Sequence, residues 1–287
     1  MLDFFADMST NPLLLMGLAA GWLASIACGL VGPYVISQRI VFLAGAIAHM
    51  AVGGVGTAIF LAERWPSVFG GWLTPLVGAL VWAAISAWIL AWVYERARER
   101  MDTLIGAMWA IGMSIGLLLI KFTPGYHVEL MNYLFGNIAL VDGSDLWLMG
   151  GLIVLIVGIQ LAFHKQLMAL CIDREQTTLQ GSSPLLLNGV LLTMVALTVI
   201  CLIQVVGLIL VLALLTLPAA AAARFASRMP ILMLLAAIIG LLCTSVPRIL
   251  VYGSRWSPES TIVLATGAFY LASIVWRGGR SKAPHGS

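Results

Sequence analysis

Apolar runs recur along almost the whole chain, each closed by a short cluster of charged residues, glycine or proline. A helix that crosses a bilayer takes about 20 predominantly apolar residues. On that measure the pattern predicts spans at about 13–35, 40–62, 71–93, 103–120, 146–163, 185–205, 207–223, 231–246 and 260–276. Hardly any loop separates the sixth from the seventh. That pair reads either as two crossings or as one re-entrant unit whose ends share a side. The expectation is an all-α, polytopic membrane helical bundle of about eight or nine transmembrane helices. It forms a single domain over 1–287, with a disordered tail from about 278. Between the fourth and fifth spans lies a longer polar connection, 121–145, containing GYHVELMNYLFGN. Its apolar part is expected to re-enter the protein rather than cross. No internal repeat and no separate soluble domain stand out.

The organising stretch is 40–62, IVFLAGAIAHMAVGGVGTAIFLA. Its one ionisable side chain is His49. That residue is roughly 14 Å into the segment at about 1.5 Å per residue, which places it near the midplane. Gly45 and Gly53 lie one turn before and after it, with Gly56 beyond. Positions at this spacing share a helix face. His49 therefore sits on a strip almost bare of side chains, where another backbone can come close.

Composition agrees with the pattern. Of 287 residues, 61% are hydrophobic and 9% charged, against roughly 25% charged in a soluble domain. The N-terminus, MLDFFADMSTNP, carries Asp3 and Asp7 and no basic residue. It lacks the positive region and small-residue cleavage site of a secretory signal, so the first segment is expected to be retained. Cys28, Cys171, Cys201 and Cys243 are far apart, in or beside apolar segments, and read as buried thiols. A net charge of +3 gives no reason to expect a nucleic-acid partner.

Basic residues orient the bundle through the positive-inside bias. With the loop after the third span in the cytoplasm, that side holds Arg39, Arg96, Arg98, Arg100, Lys165, Arg174, Arg224, Arg228, Arg277, Arg280 and Lys282. The outer side holds Arg64, Lys121, Arg248 and Arg255. Eleven against four predicts the N-terminus outside and the C-terminus inside.

All twelve Asp and Glu fall in the predicted loops or at span ends. Proton-driven transporters carry intramembrane carboxylates as relays, so a secondary transporter is disfavoured. There is no GxxxxGK[ST] and no HExxH, hence no P-loop and no zincin helix. The chain is not expected to be an enzyme. Uphill transport would draw its energy from another polypeptide.

Four stretches, in this order and spacing, carry a resemblance. They are GAIAHMAVGGVG on the second span, MDTLIGAMWAIGMSIGLLL from Met101, LMNYLFGNIALVDGSDL from Leu130, and VVGLILVLALLTLPAAAAARFA from Val205. Over residues 13 to 276 the chain resembles the integral-membrane permease of ABC-type zinc/manganese/iron importers. The resemblance implies a homodimer in the bacterial inner membrane, with cytoplasmic ATP-binding subunits docked beneath it. An extracytoplasmic metal-binding protein would deliver the divalent metal, which is cargo rather than cofactor. It also implies that IDREQTTLQGSSP, with Asp173, Arg174, Glu175 and Gly181, is the helix coupling the permease to its ATPase. Gly181 reads as that helix's stop.

The sequence departs from the family pattern where the metal would pass. The second span of the family reads Gly-Asp-Ala-x-Ser-His-Ala. Here His49 matches the His, but Gly45 stands at the Asp position, Ala48 at the Ser and Gly53 at a frequent Pro. A Pro-x-Gly-Pro run near the last span is altered to SPESTIVL. The expected metal ligand is His49, with Gly45, His49, Gly53 and Gly56 along the translocation path. The alternatives are the same architecture carrying a chelated metal or another small solute, or a passive channel.

Overall fold

The computed structural model describes residues 7, 11–97, 99–123, 141–172, 177–178 and 181–280, with 277–280 by backbone alone. The helices are α1 (Pro12–Ser37), α2 (Leu43–Arg64), α3 (Pro66–Phe69), α4 (Pro75–Ala97) and α5 (Met101–Lys121), followed by α6 (Gly143–Ile172), α7 (Pro184–Val206), α8 (Leu208–Ala222), α9 (Met229–Val251) and α10 (Pro258–Arg280). No strand occurs among the described residues. Proline opens five of the helices, as expected of a residue whose missing N–H costs nothing in the first turn.

Among the described residues eight helices are long and apolar enough to cross a membrane: α1, α2, α4, α5, α6, α7, α9 and α10. The seventh expected span is the fifteen-residue α8, about 22 Å long at 1.5 Å per residue. That is short of the roughly 30 Å hydrocarbon core. Only Gly207, at φ +84°, separates α7 from α8, and glycine adopts that backbone without a Cβ penalty.

Three boundaries differ from the hydropathy reading. Helix α6 runs on to Ile172, so His164 and Lys165 lie on a helix and not in a loop. Helix α10 runs to Arg280, so 278–280 are helical rather than tail. Arg248, expected beyond the end of its span on the outer side, lies within α9 and is buried. Most of the 121–145 connection and the end of the tail lie outside the described residues.

The chain divides into two compact units, each built from separate segments. In the unit made of 38–136 and 157–204, α2 and α7 are the buried helices, each with 78% of its apolar window covered, against 39% for α4 and 17% for α5; α2 packs against both α4 and α5. Its glycines explain the packing. A Cβ on Gly53 would lie 2.8 Å from the Gly112 carbonyl oxygen, and one on Gly56 2.6 Å from that of Gly116. Positions rise together along both helices, so α2 and α5 are parallel. On another side Gly53 meets Trp82 while Gly54 and Ala58 meet Gly78, an antiparallel pairing with α4. Helix α7 joins α4 through Asn188, whose Nδ2 donates to Glu95 Oε1 at 2.6 Å. The Gln38 amide donates to the Leu170 carbonyl at 2.9 Å.

In the other unit, α1 and α9 pack antiparallel, with Gly29 against Ala237 and Ser25 against Gly240. Trp22 Nε1 donates to Ser245 Oγ at 2.8 Å. Ala219, Ala221 and Ala222 of α8 lie in a core with Leu232, Ala236, Ile239 and Cys243 of α9. Small residues do in both units what they do in membrane bundles generally: they let backbones touch, because lipid offers no hydrophobic drive between helices. Cys28, Cys201 and Cys243 are buried free thiols, whereas Cys171 is half-buried.

Two glycines of α5 test this packing against each other. A Cβ on Gly116 would strike the Val52 carbonyl, whereas one on Gly106 meets nothing within 4 Å. Gly116→Ala is expected to destabilise the protein by about 1–3 kcal/mol, and Gly106→Ala to be neutral or slightly stabilising. Thermal midpoints in detergent check this; equal shifts for the two variants would remove the α2–α5 seam as a source of stability.

Candidate functional site

His49 is the seventh residue of α2, about 9 Å from its start at 1.5 Å per residue. The helix begins at Leu43 and ends at Arg64. His49 is thus about 7 Å from the helix midpoint, toward the N-terminal end. The side chain is half-buried. Its Nδ1 is fully buried and has no hydrogen-bond partner among the described residues. The imidazole stacks on the indole of Trp109 of α5, with ring centroids 4.5 Å apart and planes 17° from parallel.

The predicted strip on α2 separates into two parts. Gly45 faces the same indole: a Cβ there would lie 3.4 Å from Trp109 Cζ3. The space left by the missing side chain is taken by the Trp109 ring. Gly53 and Gly56 instead meet the α5 backbone, as described above, so in this structure they lie in the helix seam. Trp109 itself is 38% exposed, with one face against His49. Sequence reasoning quoted the segment containing Trp109 without singling it out. The signal was present: Gly112 and Gly116 form a small-xxx-small pair, which places their helix against another.

At the C-terminal ends of α2 and α5, Phe60, Glu63, Arg64, Phe122 and Thr123 line a cavity of about 490 Å³. These ends therefore lie on one side, which matches the alternation read from the basic residues. His164 is on α6, while His127 and His285 lie outside the described residues. Among the described residues, no group of three or more His, Cys, Asp or Glu comes together.

Of the predicted coupling segment, Asp173, Arg174 and Glu175 lie outside the described residues. Its end is visible. Residues 177–178 are helical and Thr177 is buried. The Gly181 amide donates to the Thr178 carbonyl at 3.0 Å, and the Ser182 amide to the Thr177 carbonyl at 3.3 Å. With Gly181 at φ +75°, this is the paired closure of a Schellman motif, so Gly181 is a helix stop.

Arg248 is the buried cation that the sequence reading left in a loop. It is 7% exposed, and its Nη1 has no hydrogen-bond partner. It lies beside Gly17, Leu18 and Gly21 of α1 and Ile262 of α10.

Three comparisons bear on identity. The profile of the ABC 3 transport family matches residues 10–277. A "probable metal transport system membrane protein" of Chlamydia pneumoniae is 36% identical over 251 residues, covering 88% of this chain and 84% of that protein. The manganese transport system membrane protein MntC of Halalkalibacterium halodurans is 26% identical over 291 residues, covering 97% and 96%. Among solved structures, PsaBC from Streptococcus pneumoniae in complex with a Fab superposes with a TM-score of 0.79. It is 24% identical and covers 95% of each chain, and it supports the helical fold.

Proposed function

The chain belongs to the ABC 3 transport family, and we propose that it is the membrane permease of an importer for a divalent transition metal, zinc or manganese first and iron next. Metal transport is the work named for the Chlamydia pneumoniae relative and manganese transport for that of Halalkalibacterium halodurans. The observation that carries the reading onto this chain is His49, an imidazole inside a membrane-crossing helix with a buried, unpartnered Nδ1. An ionisable side chain within a span is by default functional, and neutral imidazole is the commonest protein donor to zinc and suits the other late transition metals.

One nitrogen donor completed by water holds a metal weakly. That suits a transit point, where binding must be strong enough for entry and weak enough for release. Capture and most of the selectivity then fall to an extracytoplasmic binding protein. Energy comes from cytoplasmic ATP-binding subunits, since this sequence has no P-loop. A second copy of the chain completes the path in the bacterial inner membrane. The permease makes and breaks no covalent bond, and the metal is cargo.

The test is the permease reconstituted with its ATP-binding subunits and binding protein, across a panel of metals. Zinc or manganese is expected to stimulate ATP hydrolysis and to accumulate inside the vesicles. Equal flux without ATP would make the chain a passive channel. Stimulation by a chelate but not by the bare ion would shift the cargo to a chelated metal.

A further inference from the structure

A histidine that binds a metal is ordinarily aimed by its second ring nitrogen, which donates to a carboxylate or a carbonyl. His49 has no such brace, because its Nδ1 is buried without a partner. What fixes the plane of its ring is Trp109, stacked at 4.5 Å and 17°. The same indole edge lies 3.4 Å from the Cβ position of Gly45, so one ring covers both positions of the turn where the family carries its Asp and His. The indole is itself well anchored. Three residues on, Gly112 is clamped against Met50, where an added Cβ would lie 2.8 Å from the Met50 Cα. Helix α5 therefore cannot slide along α2 without breaking that seam. With glycine at 45 the ring edge faces bare backbone, and an added Cβ would touch it at ordinary van der Waals distance.

We infer that Trp109 is the positioning residue for His49 and, through it, a determinant of which metal passes; the inference rests on the reading of His49 as the transit ligand. A nitrogen donor held in one orientation favours zinc over manganese, following the general order of divalent-ion affinities. An imidazole free to turn presents that donor for only part of the time, and water makes up the coordination without the same preference. The indole thus acts on selectivity without touching the metal.

The experiment uses cells in which this permease is the sole uptake route, given an equimolar mixture of radioactive zinc and manganese. The readout is the ratio of the two ions taken up. A variant that folds poorly lowers both ions together and leaves the ratio unchanged. Trp109→Leu is expected to lower the zinc-to-manganese ratio about fivefold, the size of one lost aromatic stack. Trp109→Met, a second replacement without a ring, should do the same, while Trp109→Phe keeps the ratio within about twofold. His49→Ala should lower it at least as far as Trp109→Leu, and the double variant no further than His49→Ala alone, as for residues acting as one unit. If the Leu and Met variants keep the wild-type ratio while His49→Ala lowers it, the inference is overturned and His49 remains the ligand. If total uptake falls in the Trp109 variants without a change of ratio, Trp109 is packing only, and the inference fails. If His49→Ala itself leaves the ratio unchanged, the ligand reading fails and takes the inference with it.

Discussion

His49→Ala lowers metal uptake by about tenfold or more, the scale seen when a group that holds or orients a metal is lost, while the protein still inserts and keeps its helices. The expectation follows from the position of the imidazole. It lies on a helix long and apolar enough to cross a membrane, and its Nδ1 carries no hydrogen bond among the described residues. Removing it costs the fold little beyond the stack on Trp109. The companion variant is Gly45→Asp, which places an oxygen donor one turn before His49. The family carries Asp at that position, and hard oxygen ligands suit manganese. A Cβ at this position touches the Trp109 indole at 3.4 Å, an ordinary contact, so the new side chain starts against the ring. The second donor should tighten metal retention by the purified permease. Uptake assays and metal titrations on the two variants decide the matter. Normal uptake by His49→Ala, together with unchanged retention by Gly45→Asp, would leave this helix as packing and point to a cargo other than a bare metal ion.

How far the sequence foretold this depends on whether the deciding interaction lies within one helix or between two. Span positions were legible because about 20 consecutive apolar residues have few alternatives to crossing a bilayer. Ends were less legible. Lys165 reads as the edge of a loop, yet α6 continues past it to Ile172, since a long amphipathic side chain can carry its charge to the interface from within a helix. Arg248 reads the same way, but its helix runs on to Val251 and buries it. The residues of α1 and α10 beside it, Gly17, Leu18, Gly21 and Ile262, are neighbours visible only in three dimensions. On α2 the glycine strip correctly announced close backbone approach, but hydropathy cannot say which backbone approaches. The answer, α5 at Gly53 and Gly56 with an indole at Gly45, depends on a register between segments about sixty residues apart. Trp109 was unremarkable for the same reason: one aromatic residue in an apolar span carries no local signal of what it stacks on.

Gly181→Trp and Glu175→Arg are each expected to abolish ATP-driven uptake while the permease still inserts and dimerises. The segment 172–184 is polar, and the basic-residue bias puts it in the cytoplasm. A helix ends there at Gly181, with φ +75° and both closing hydrogen bonds formed. A residue with a Cβ pays about 1–2 kcal/mol to adopt that left-handed backbone, enough to favour a different path for the chain between the buried Thr177 and the start of α7 at Pro184. The surface around Gly181 is open, with nothing within 4 Å of an added Cβ. The indole of Gly181→Trp would therefore project from the proposed docking surface, and the rest of the fold would suffer little. Gly181→Asn separates the two effects, because asparagine tolerates the left-handed region and commonly closes helices; it should transport at close to the wild-type rate. Glu175→Arg reverses a charge without touching the cap, and so tests the docking surface alone. A reporter fused within 173–183 should read as cytoplasmic. If Gly181→Trp and Glu175→Arg both support uptake near the wild-type rate, the ATP-binding subunits dock elsewhere and this helix stop serves only to start α7.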